Sequence, residues 1–373
     1  MVKKGGQDYN HANRSKGVTP PLAAFAVTHA GYALALRLKK RFTGLKVFSP
    51  ARLKNGGIVN TVNAAFGDYS GLIFICASGI AVRAVAPNLK GKHLDPAVVV
   101  VDDQGKFAIS LLSGHLGGAN ELARETASAL DAAPVITTAT DGAGLPCVED
   151  IAKKFSLAFG DVKKIKCVNA AILNGGPVSI FDADAKRLSA MRRAYAGAGV
   201  FAFKSKPASG KEIRDIKDAS AFVIVSNSAH TALPNGAEHR TLILRPREFA
   251  VGIGCRRFAS AAQIRRVVKN AFDSAGLSML CIRNIATIDI KADEKGLLNF
   301  ARSLNVPIEY FTSSTLKTKK PPSGPSAFVA KAAGCPAVAE PAALLSAKAK
   351  KLWIKKQKSD KVTVAAARVS SRW

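Results

Sequence analysis

Apolar runs of about five residues, the usual length of a buried strand, recur along the chain. They lie at 22–28, 72–76, 97–101, 134–138, 178–182, 221–226, 249–253 and 285–290. Between them the spacing turns helical. Leu34, Leu38 and Phe42 stand four apart, and Ala261, Ile264, Val268 and Phe272 form one stripe behind Ser260, an N-cap residue type. Continuous apolar strands alternating with amphipathic helices predict open, mostly parallel sheets flanked by helices, an α/β fold. At 373 residues the chain exceeds one ordinary core. Its composition divides it into a basic extension (1–21), an N-terminal α/β domain (22–146), a smaller, Lys/Ala-rich middle domain (147–246) and a C-terminal α/β domain (247–373). The extension is expected to be disordered.

The net charge of +29 invites a nucleic-acid reading. Its distribution argues otherwise: residues 348–373 carry 9 basic side chains and 1 acidic, whereas 72–150, where the motifs cluster, carry 5 basic against 9 acidic. No RRM, KH or helix-turn-helix signature occurs, and aromatics are only 7%, too few for stacking platforms. No apolar run approaches the roughly 18–20 residues of a membrane span, and residues 1–21 lack a signal-peptide core. The six cysteines are dispersed without a CxxC pair, and the six histidines without HxxxH spacing. Reduced thiols, a cytoplasmic location and no protein-built metal site are the expectations.

The chemistry concentrates in SLLSGHLGGANE, residues 110–121. A strand entering a glycine-rich turn and then a helix aims N–H groups and the positive helix end at one spot, which suits an anion or an oxyanion. Asn120 and Glu121 fall in the first helical turn, with His115 at the mouth. CASGIAVR (76–83) is another strand–glycine–helix junction and carries Arg83, and ITTATDG (136–142) ends a strand in hydroxyls and a carboxylate. In one parallel sheet these three ends would converge at the carboxyl edge, where open α/β sheets bind ligands. Each also has an ordinary reading as a packing turn, a polar loop or a cap.

These segments carry a resemblance. SGIAVRAVAP (78–87), DPAVVVVDDQGKFAISLLSGHLGGANELA (95–123) and VITTATD (135–141) closely resemble the CbiG family of cobalamin biosynthesis, cobalt-precorrin-5A hydrolase. VGIGCRR (251–257), ATIDIKADEKGLL (286–298), FVAKAAGCPAVAEPAALL (328–345) and KQKSDKVTVAAAR (356–368) are similar to its C-terminal part. The resemblance implies an enzyme that opens the ring A δ-lactone of cobalt-precorrin-5A and releases the methylated meso carbon as acetaldehyde. Cobalt would be carried by the substrate, with no further cofactor. Neighbouring corrin-pathway enzymes and a homo-oligomer are conceivable partners; nucleic acid and membrane are not.

On that resemblance His115 is the expected general base, with Glu121 or Asp141 as its orienter or alternative. An axial contact from His115 to the substrate's cobalt is a competing role. The turn residues Ser113, Gly114, Gly117, Gly118 and Asn120, with Ser78, Gly79 and Thr140, are expected around the substrate. Gly254, Arg83, Arg256, Arg257, Lys356 and Lys358 would meet the substrate's carboxylates. Asp289, Asp293 and Glu294 read better as a strand end and helix cap, and Cys255 as a small buried residue. Two positions depart from the family: Phe258 stands where glycine is usual, and Lys355 where proline is. A non-catalytic tetrapyrrole-binding or scaffold protein is the alternative reading.

Overall fold

The computed structural model describes residues 21–91, 94–205, 219–233 and 236–370, so the expected basic extension lies almost wholly outside the described residues. The chain forms two compact units, 1–150 and 151–373, and the second holds two sheets.

The first unit is a six-stranded sheet in the order β2-β1-β3-β4-β5-β6. Its strands are β1 (Leu22–Ala26), β2 (Lys46–Phe48), β3 (Gly71–Ile75), β4 (Ala97–Val101), β5 (Phe107–Leu112) and β6 (Ala133–Val135). β1, β3 and β4 are buried at every position, because helices cover both faces. On one face α1 (His29–Arg41) and α5 (Ala119–Leu130) pack on Ala24, Ile73, Val99 and Ala108. On the other, α2 (Pro50–Gly56), α3 (Ile58–Ala65) and α4 (Ser78–Val85) pack on Ala23, Phe25, Phe74 and Val100. The short α6 (Ala139–Gly142) follows β6, and α7 (Val148–Lys154) follows it.

The Asp/Gly chemistry of residues 102–105 suits a tight hairpin, which the structure forms, and that hairpin overturns the convergence expected of 76–83, 110–121 and 136–142. β1, β2, β3 and β4 are parallel, but β5 returns antiparallel beside β4 through the Asp102–Gly105 turn, and β6 runs parallel to β5. A tight hairpin reverses chain direction, so β5 and β6 deliver their C-terminal ends to the edge where β3 and β4 begin. Residues 113–120 and 138–141 therefore share one edge. Residues 78–83, which follow β3, start at the other. Five residues of strand at about 3.3 Å each separate the two edges. The predicted three-way convergence does not occur.

The middle sheet has the order β7-β11-β10-β8-β9. β8 (Val178–Asp182), β9 (Phe201–Ser205), β10 (Ala221–Val225) and β11 (Thr241–Pro246) are parallel, and β7 (Leu157–Phe159) is antiparallel to β11. The sequence suggests one helix over 149–159, but α7 ends at Lys154 and Ser156 takes a positive φ, turning the chain into β7. The helices α8 (Ile165–Leu173) and α9 (Ala185–Ala194) belong to this layer, α9 capped by Asp184.

The last sheet has the order β14-β13-β12-β16-β15. β12 (Phe249–Cys255), β13 (Ile282–Ile288) and β14 (Ile308–Phe311) are parallel; β16 (Val362–Arg368) is antiparallel to β12, with β15 (Ile354–Ser359) antiparallel at its outer edge. One face carries α10 (Ala261–Ser274), closed by a Ser260–Gln263 capping box, and α11 (Lys295–Leu304). The other is covered by α12 (Ser313–Lys317), α13 (Ala327–Ala333) and α14 (Ala339–Ala347). A Cβ on Gly252 would lie 1.8 Å from the Ala339 carbonyl oxygen, so only glycine lets α14 sit this close to β12.

A buried ion network ties the two sheets of the second unit together. Arg187 on α9 grips Asp182 bidentately at 2.6 and 2.8 Å and reaches Glu248 at 3.6 Å. Arg368 on β16 meets the same Glu248 at 3.0 Å.

Candidate active site

The loop between β5 and α5 owes its shape to two close approaches. A Cβ on Gly117 would meet the Ser113 Cβ at 2.3 Å, and one on Gly114 would meet Asn120 Oδ1 at 2.8 Å. The chain therefore folds onto itself: Ala119 N–H donates to the Ser113 carbonyl at 3.1 Å and Asn120 N–H to the Gly114 carbonyl at 3.0 Å. Ser113 is held at φ 60°, a backbone region that costs a non-glycine residue energy. Its buried hydroxyl has no hydrogen-bond partner among the described residues. Strain and an unpaired buried hydroxyl in one residue are features that functional loops concentrate. The N–H groups of Gly117 and Gly118 likewise have no backbone partner among the described residues.

Beneath the loop lies a polar network. Asn120, nearly fully buried, accepts from Ser110 Oγ at 2.7 Å and donates to Thr138 Oγ1 at 3.0 Å and to Asp141 Oδ2 at 2.9 Å. Thr138 Oγ1 donates to the same carboxylate oxygen at 2.6 Å, and Arg124 Nη2 holds Oδ1 at 2.6 Å. Burial by itself would raise the Asp141 carboxyl, but the Thr138 and Arg124 hydrogen bonds and the His115 and Arg124 charges outweigh it. Asp141 is thus held below the ordinary carboxylate value, as an anion.

His115 rests on this frame. Its Nε2 lies 2.9 Å from Thr140 Oγ1 and 3.4 Å from Asp141 Oδ2, with the histidine and the aspartate side chains about one-fifth exposed. A carboxylate facing Nε2 favours the proton on that nitrogen, leaving Nδ1 as the basic atom. Such an edge can polarise a water and stabilise the oxyanion it creates.

The structure brings together Ser113, Gly114, His115, Gly117, Gly118, Asn120, Thr140 and Asp141. Glu121 is half-buried in the first turn of α5, and the bonds that orient His115 run through Thr140 and Asp141. The Asn120 amide is spent on Ser110, Thr138 and Asp141. Ser78, Gly79 and Arg83 are exposed on α4, which starts at the opposite edge of the sheet, and Arg83 Nη1 donates to the Gly79 carbonyl of its own helix. Ser110, Arg124 and Thr138 were missed. Arg124 stands four residues beyond Asn120 on α5, a spacing that puts both on one face and offered the signal.

His115, Cys147 and Asp150 each present a ligand atom within 4.8 Å of the others, the mixed N, S and O set that zinc takes. The sequence spacing gave no hint of this group, since His115 joins it only through the fold. Asp150 accepts the Cys147 N–H at 3.5 Å, in the manner of a helix cap. The fully buried thiol is pushed far above its ordinary value by that burial and by the Glu149 and Asp150 charges. A cap and a neutral thiol account for the cluster as it stands.

The second unit gathers the other predicted residues. Gly254, Arg256 and Arg257 lie at the carboxyl end of β12, where Arg256 N–H donates to the Lys361 carbonyl of the β15–β16 turn at 2.9 Å. Half-buried Lys356 and exposed Lys358 lie on β15, an outer strand whose lysines discourage further pairing. Asp293 pairs with Arg257, and the buried Glu294 stands at the N-cap position of α11 but makes no side-chain capping bond, because its carboxylate is taken by the Phe258 N–H and by Lys291. Cys255 is half-buried, with its thiol raised by burial.

Three family models match in sequence order: cobalamin synthesis G N-terminal over residues 60–141, the cobalamin biosynthesis central region over 146–246, and the cobalamin synthesis G C-terminus over 249–367. The chain belongs to the CbiG family of cobalamin biosynthesis. It is 32% identical to the cobalt-precorrin-5A hydrolase of Priestia megaterium, covering 92% of this chain and 94% of that protein. Against the cobalt-precorrin-5A hydrolase of Salmonella typhimurium the identity is 33%, covering 87% and 91%. A crystal structure of a cobalamin biosynthesis protein G homologue from Sulfolobus solfataricus aligns over 94% of this chain and 97% of that one, with 21% identity and a TM-score of 0.38. The resemblance read from SGHLGGAN and GIGCRR is thus shown across residues 60–367, including the middle region. Among the described residues no helix is long and apolar enough to cross a membrane.

Proposed function

We propose that this chain is a cobalt-precorrin-5A hydrolase that opens the ring A δ-lactone and releases the two-carbon unit as acetaldehyde, giving cobalt-precorrin-5B. The observation that carries the reading is the seating of His115 on Thr140 and the anionic Asp141, beside the glycine loop. The hydrolase relatives, matched over nearly their whole length, supply the substrate class.

In this reading His115 Nδ1 takes a proton from water as the water oxygen attacks the lactone carbonyl. Asp141 and Thr140 hold the Nε2–H and stabilise the charged ring. The Gly117 and Gly118 N–H groups are the donors assigned to the developing oxyanion. Ring opening leaves a hydroxyl on the methylated meso carbon. Its collapse to an aldehyde passes a carbon–carbon electron pair into the conjugated macrocycle, whose chemistry belongs to the substrate.

Incubation with cobalt-precorrin-5A, with trapping of acetaldehyde, tests this. Stoichiometric acetaldehyde supports it. Tight binding with no acetaldehyde would overturn it in favour of a tetrapyrrole carrier.

A further inference from the structure

Phe258 is the residue the fold least needs. It follows β12 at φ 62°, the left-handed region, which a bulky L-residue occupies at a cost and glycine occupies freely. Its ring is 92% exposed. The turn is fixed by its backbone alone: Phe258 N–H donates to Glu294 Oε1 at 2.9 Å, and Lys291 holds the other oxygen at 3.2 Å. Gly296 then packs α11 directly against Ala259, since a Cβ there would lie 1.9 Å from the Ala259 carbonyl oxygen. The chain bears backbone strain at this point and gains no burial from the side chain.

The ring does not stand alone. At the same edge Arg256 lies over the Phe328 ring, 5.3 Å from its centroid, and Phe328 is itself 64% exposed. Arg256 makes no ion pair among the described residues, and neither do Lys356 and Lys358 on β15. Hydrogen bonding of β15 to β16 and of β16 to β12 brings Lys358 opposite Thr363 and Thr363 opposite Gly254, beside the same strand end. Exposed aromatic rings at a strand end whose cations have no ion-pair partner match one ligand chemistry: a flat conjugated face with carboxylates around its rim.

We propose that the carboxyl edge of the last sheet seats a polycarboxylate tetrapyrrole, with Phe258 stacked on its face and Arg256 and Lys358 paired with its acids. The proposal rests on the tetrapyrrole substrate class of the preceding section, and it makes Phe258 a binding residue particular to a chain that has no glycine here. Strain at an exposed aromatic then has a reason: the left-handed turn stands the ring out into the ligand's path.

The test uses the full chain and the octacarboxylate macrocycle uroporphyrin III, with binding read by its fluorescence. Phe258→Gly is expected to raise Tm, because the turn loses its strain, while weakening uroporphyrin III binding about tenfold, a loss of the size that single stacking contacts give. Phe258→Trp should retain the affinity, and Phe328→Ala and Arg256→Gln should each weaken it. Wild-type affinity in Phe258→Gly, or no binding by the wild-type chain, would overturn the proposal. The hydrolase reading fails separately: no acetaldehyde from cobalt-precorrin-5A, with Phe258-dependent binding of uroporphyrin III, would remove the reaction and leave the seat. Acetaldehyde release by the wild-type chain with undiminished uroporphyrin III binding in Phe258→Gly would do the reverse.

Discussion

Asp141 Oδ2 sits 3.4 Å from His115 Nε2 while Arg124 holds the other carboxylate oxygen at 2.6 Å, so the histidine is oriented by an anion that is itself clamped. His115→Ala removes the group assigned as general base and is expected to lower acetaldehyde release by about 10²–10⁴-fold. Circular dichroism of the variant should match wild type, since the ring is partly exposed. Wild-type turnover would remove His115 from the mechanism.

Asp141 also sets a pH dependence of stability. Its carboxyl is lowered in the folded state from an ordinary 3.8. Its contribution is therefore complete above that value and is lost as pH falls through the lower folded value. Asp141→Asn should flatten the acid limb of a Tm-against-pH curve. An unchanged limb would show that other carboxylates govern acid unfolding.

Gly117→Ala tests whether the loop tolerates any side chain. The added Cβ would collide with Ser113 Cβ and with its carbonyl oxygen at 2.7 Å, and backbone cannot yield cheaply. Overpacking of this kind costs about 1–3 kcal/mol. Thermal unfolding should show that loss, together with a kcat decrease larger than any change in KM.

The network between the sheets of the second unit gives a fourth expectation. Arg187 and Asp182 are both about 95% buried or more, and Asp182 is raised by burial in spite of its partner. Arg187→Met should cost about 3–5 kcal/mol by stranding a buried carboxylate. The double variant with Asp182→Leu should recover much of it in urea unfolding.

Arg256→Ala is expected to raise KM for cobalt-precorrin-5A several-fold with little change in kcat. Arg256 meets no reacting atom in the proposed mechanism, so an unchanged KM would exclude it from substrate binding.

Much of this was legible in the residues. The apolar runs at 97–101 and 178–182 are strands with those bounds, and Ser260 caps α10 as its chemistry predicts. β7 and β15 were not legible, because LAF and IKKQKS are strands only through a neighbour: Leu157–Phe159 pairs with β11, and the lysine run pairs with β16. Around the site, SGHLGGAN and Asp141 were readable as chemistry, whereas Arg124 and Ser110 became site residues only once α5 and β5 packed together.

The amino-acid sequence by itself determined the α/β class, the family and the glycine loop that carries His115. Those depend on local spacing and residue type, which the chain keeps in any conformation. The tertiary structure decided which strand ends meet. The Asp102–Gly105 hairpin reverses β5, so Ser113–Asn120 joins Thr138–Asp141 and is parted from Ser78–Arg83. Strand direction is a property of pairing, and pairing is settled only when the sheet forms.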